Sequence, residues 1–130
     1  MALIDLPLPP PHDPVPPEVR RFVAEADRRI DRFQQDYRCP AFVAGDYAAA
    51  YRVIRAVGES ALARGRRFCE WGSGFGVVAS LAAMLDFDAY GIEIEGELVR
   101  EARQLADDFG VPVEFAHGSF VPRGGEGRVH

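Results

Sequence analysis

The sequence predicts an α/β fold on a parallel sheet, one half of a doubly wound architecture preceded by two helices. Three observations support it. Seven of the ten prolines crowd into the first 17 residues and set an arm apart from the rest. Apolar residues from Val19 to Tyr37 recur at three- and four-residue steps, which is the helical period. Beyond residue 66, short apolar segments alternate with helical ones in the order strand, helix, strand, helix, strand. That alternation implies right-handed crossovers between parallel strands.

In chain order, residues 1–17 are predicted to be an extended, disordered arm, because dense proline forbids helix and sheet. Residues 18–66 are predicted to hold two helices. The first starts at Pro17 and carries Val19, Phe22, Ala26, Ile30, Phe33 and Tyr37 on one face, with Pro40 ending the region. The second starts at the N-cap Asp46 and runs through Tyr47, Tyr51, Ile54 and Leu62 to a stop near Gly65. Residues 67–130 are predicted to form a partial core. Its strands are Arg67 to Glu70, Ala89 to Glu93 and Val111 to Ala116, separated by helices at Gly76 to Leu85 and Glu97 to Phe109.

Composition narrows the chemistry. All 15 basic residues are arginine, and the absence of lysine excludes a P-loop nucleotide triphosphatase. The net charge of −5 argues against nonspecific attraction to nucleic acid. Charge is uneven: residues 1–67 hold 11 Arg against 9 acids, and residues 68–130 hold 4 against 11. Arg20, Arg21, Arg28, Arg29 and Arg32 therefore read as a solvated helix face, the one basic surface that could meet an acidic partner. The longest apolar run, Val77 to Leu85, falls short of a membrane span. The first residues lack a basic start and an apolar stretch, so a cytoplasmic location is expected. Cys39 and Cys69 are expected to be reduced thiols, Cys69 buried, with no metal cluster.

The segment Glu70-Trp71-Gly72-Ser73-Gly74-Phe75-Gly76 carries a strand into a glycine-rich turn and then a helix. Such a turn lets a ligand approach bare backbone. Twenty-one positions after Gly72, Glu93 ends the next strand. A carboxylate there can accept both hydroxyls of a ribose, and the spacing suits one intervening helix. Dinucleotide domains share that acid, but their fingerprint is G-x-G-x-x-G, whereas here Gly76 follows Gly74 after one residue and position 77 is Val. Glu70 would also sit awkwardly beside a pyrophosphate and well beside an amino group. A nicotinamide-dependent oxidoreductase fragment is thus the weaker alternative.

These residues resemble motifs I and II of class I, Rossmann-like S-adenosylmethionine-dependent methyltransferases, a likeness that covers about residues 41–120. The resemblance implies a three-layer α/β/α fold and S-adenosyl-L-methionine as cofactor. It places Glu70, Gly72, Ser73, Gly74 and Gly76 in the loop under the methionine portion, Glu93 on the ribose hydroxyls and Ile94 against the adenine. Phe42 to Tyr47 resembles the segment that covers the methionine carboxylate.

Two departures shape the expectations. Where many members have an Asp after the third strand, this chain has Gly118-Ser119, so the adenine amino group would meet Ser119 or a backbone carbonyl. After Val121 the residues do not read as a further strand. The sheet is accordingly expected to stop, truncated, at its third strand, leaving an open edge that invites self-association. No acceptor-side or catalytic residue can be named, and the methyl acceptor is of unknown class. A binding module that retains the pocket without transferring a methyl group is the other alternative. Trp71 and Phe75 are expected to pack in the core, and His117 to be a surface or hydrogen-bonded residue rather than a general base.

Overall fold

The computed structural model describes residues 6–36, 45–60, 65–119 and 121. Its elements are α1 (Pro17–Asp36), α2 (Tyr47–Glu59), β1 (Arg67–Trp71), α3 (Val77–Met84), β2 (Asp88–Glu93), α4 (Gly96–Asp108) and β3 (Val113–His117). The strands form one parallel sheet in the order β1-β2-β3, with Glu70 beside Gly91 and Gly91 beside Phe115. The second predicted helix stops at Glu59, where Ser60 N donates to the Ala56 carbonyl. Leu62 lies outside the described residues, as do Cys39, Pro40 and residues 42–44.

Helix α1 buries Val19, Phe22, Ala26, Ile30 and Phe33, the stripe its sequence period dictates. Asp46 caps α2 by accepting from Ala49 N at 3.1 Å. Helix α3 is apolar on all sides because it lies between the sheet and the two N-terminal helices, and it buries Val77, Ala79, Leu81, Ala82 and Ala83. Phe33 of α1 meets Phe75 edge-on at 5.4 Å, so the first helix seals the turn between β1 and α3.

Of the three layers expected, the described residues build two. Successive right-handed crossovers that step the same way along a sheet place their helices on one face. Here that face carries Phe68, Glu70, Ala89, Gly91, Val113 and Phe115. The opposite face carries Cys69, Trp71, Tyr90, Glu114 and Ala116, all exposed. Two expectations are corrected as a result. Cys69 is an exposed free thiol rather than a buried one, and Trp71 is 67% exposed rather than packed in the core, whereas Phe75 is fully buried. Both follow from strand alternation: Phe68 and Glu70 point to the helices, so Cys69 and Trp71 point away.

The free arm expected over residues 1–17 is corrected at its C-terminal end. Val15 is buried in the core, and three consecutive carbonyls are held by arginines. Arg52 Nε donates to Asp13 O at 2.9 Å, an Arg55 guanidinium nitrogen to Pro14 O at 3.2 Å, and one of Arg20 to Val15 O at 2.7 Å. Proline removes donors from this segment but leaves its carbonyls, which the arginines satisfy. Among the described residues no helix is long and apolar enough to cross a membrane.

Candidate functional site

The strand tips and the turn after β1 form the site. Gly72, Gly74 and Gly76 all have positive φ, at 66°, 56° and 68°. The alternation folds the chain back on itself: Gly76 N donates to Ser73 O at 2.7 Å, and Ser73 N donates across to Ile92 O of β2 at 3.0 Å. The turn is therefore fastened to the neighbouring strand. Close packing demands glycine at two places. A Cβ on Gly76 would lie 2.2 Å from the Phe115 ring, and one on Gly91 would lie 2.8 Å from the Ser73 side chain. At Gly72, by contrast, a Cβ would meet nothing within 4 Å, so the turn is open there.

Glu70 and Glu93 flank the turn and do different work. Gly76 offers α3 no side-chain cap, and Glu70 replaces it: Glu70 Oε1 accepts from Ala79 N at 3.1 Å. Burial pushes the Glu70 carboxyl up to about 7, against the lowering effect of the Ala79 hydrogen bond and with a further rise from neighbouring Glu93. Glu93 is only 7% exposed. Its Oε1 accepts from Gly74 N at 2.8 Å and its Oε2 from Glu95 N at 2.9 Å. It is thus a buried carboxylate held by two amides, not an open strand-end acid.

The remaining candidates divide. Ile94 is 63% exposed at the end of β2, where an apolar ligand face could lie on it. His117 bonds through Nε2 to Ile94 O at 3.0 Å, and Gly118 N donates to Glu93 O at 2.9 Å, so the β3 tip is fastened beside the acid. Ser119 Oγ accepts from Val121 N at 3.0 Å and serves its own turn. The Ser73 hydroxyl is buried without a hydrogen-bond partner among the described residues.

The sequence reading did not single out Phe115, whereas it placed Tyr47 at the end of the segment expected to cover the methionine carboxylate. Phe115 fills the space that Gly76 and Gly91 leave, and its only sequence signal was its place in an apolar strand. The buried Tyr47 hydroxyl is pushed above its ordinary value, mainly by burial, against a backbone hydrogen bond with Gly45 and with help from Asp27 and Glu70.

No family model and no curated protein matches the chain. Among solved structures it is similar to a putative O-methyltransferase from Klebsiella pneumoniae, at 17% identity and a TM-score of 0.53, over 82% of this chain and 46% of that one. A methyltransferase from Geobacter sulfurreducens gives 18% and 0.51, over 82% and 51%. The chain shares the Rossmann-like α/β fold of these two structures over part of their length. An RNA methyltransferase from Salinibacter ruber, in complex with S-adenosyl-L-homocysteine, matches at 26% identity and a TM-score of 0.40, over 82% of this chain and 50% of that one. The chain spans about half the length of these structures.

Proposed function

We propose that this chain binds S-adenosyl-L-methionine at the tips of β1 and β2 as the cofactor-binding portion of a methyltransferase. One observation carries the reading: the turn formed by three positive-φ glycines is tied directly to the acid ending the next strand. Gly72 is open on its outer side, the exposed Ile94 offers an apolar surface, and each Glu93 oxygen uses only one of its acceptor sites on backbone. These features fit a ligand with a ribose, an adenine and an amino acid end. Glu93 would take the ribose hydroxyls, Ile94 the adenine face and Gly72 to Gly76 the methionine portion, with Glu70 beside the amino group. Ser119 or a nearby carbonyl would serve the adenine amino group.

When bound, S-adenosyl-L-methionine supplies an activated methyl group; the chain's own part is to hold it in a fixed orientation, which is the main lever for an in-line displacement. Glu70, whose carboxyl occupies the N-terminus of α3 through Ala79 N, stands where a pyrophosphate would bind and favours this reading over a nicotinamide cofactor.

Calorimetry tests the reading. S-adenosylhomocysteine should bind the chain and NAD should not. Glu93→Ala should weaken binding roughly ten- to a hundredfold, the loss of charge-assisted hydrogen bonds. Equal affinity for the parent and Glu93→Ala would remove the assignment.

A further inference from the structure

We infer that Glu93 is also a positioning residue, which holds the glycine turn in its binding shape before any ligand arrives. The carboxylate is buried and bridges two separate pieces of backbone, Gly74 N in the turn and Glu95 N at the start of α4. No cation is paired with it among the described residues. A buried carboxylate needs partners, and here both are amides. Two further bonds hold the turn, from Gly76 N to Ser73 O within it and from Ser73 N across to Ile92 O of β2. Three hydrogen bonds, from the amides of residues 73, 74 and 76, therefore fix a segment whose glycines would otherwise be free to sample many conformations. Of these three, the attachment at Gly74 is the one made by a side chain.

The consequence is that Glu93 acts on parts of a ligand it does not touch. With the turn untied, the methionine end would meet a mobile backbone and would have to order it on binding. The link to ligand affinity rests on the cofactor reading above, whereas the holding role does not.

Backbone amide exchange measured by NMR on the unliganded chain tests the holding role directly. In Glu93→Ala, Gly74 and Glu95 should exchange about tenfold or more faster than in the parent, with the α1 amides unchanged. Glu93→Gln keeps the shape but has one acceptor oxygen, so one of the two amides should retain its protection and the other lose it. Parent-like exchange at both positions in folded Glu93→Gln would overturn the inference, and that variant decides the matter if Glu93→Ala does not fold. The second readout is titration with L-methionine, which lacks ribose. Weaker binding to Glu93→Gln than to the parent supports action through the turn, and unchanged binding contradicts it. If the parent binds neither L-methionine nor S-adenosylhomocysteine, the cofactor reading fails while the exchange result still stands or falls by itself.

Discussion

The two faces of the sheet are made by the same fifteen or so residues and have opposite character. On the covered face Phe68, Glu70, Gly91 and Phe115 interlock with α3, α4 and the glycine turn. On the other, Cys69, Trp71 and Tyr90 lie in the open. Alternation along a strand thus places the candidate site's chemistry on the face where space is shortest. Substitutions should be costly on one face and nearly silent on the other.

The sharpest break should come at Gly76. Gly76→Val puts a branched side chain where even a Cβ would lie 2.2 Å from Phe115, at a φ of 68°. Strain and overpacking together should cost on the order of 3 kcal/mol or more, read by urea unfolding. Near-parent stability would mean that the turn and Phe115 separate freely.

Glu70 should give a smaller, pH-dependent effect. Its folded-state carboxyl is raised to about 7 from an ordinary value of 4.5, so the folded chain holds this proton more tightly than the unfolded chain does. The resulting stability is fully present below about 4.5 and is lost as pH rises through about 7. A decline of about 1–3 kcal/mol across that window is expected, and Glu70→Gln should flatten it. An unchanged slope in the variant would place the titration elsewhere.

The arm tests how far the packed side extends. Deleting residues 2–16 removes buried Val15 and the three carbonyls bound by Arg20, Arg52 and Arg55. The melting temperature should fall by about 5 °C or more. A change within a degree would show that the arm is not docked.

The smallest effect should be at Cys69. On the exposed face, Cys69→Ser should alter stability by less than about 0.5 kcal/mol. A large loss would mean that this face is covered in the working protein.

Much of this was legible in the sequence. The apolar stripe of α1, the Asp46 cap, the three strands and the glycine turn with its acid all rest on local patterns of period or spacing. What stayed hidden depends on partners far apart in the chain. Asp13 and Pro14 are held by arginines 39 and 41 residues away, which a proline-rich composition does not reveal. The apolar run at β1 could not say which face the helices would cover, so Cys69 and Trp71 were misassigned. Glu93 was readable as an acid at a strand tip, but its inward turn onto Gly74 depends on how the loop folds back over β2.

The most direct measurement is an NMR titration of the chain with S-adenosylhomocysteine, following backbone amides. Shifts should concentrate at Gly72 to Gly76, Glu93 to Glu95 and Gly118, with the Gly74 and Glu95 amides among the largest because both bond to the carboxylate proposed to take the ribose. Saturable binding that moves other residues and leaves these still, or no binding at all, would contradict the account.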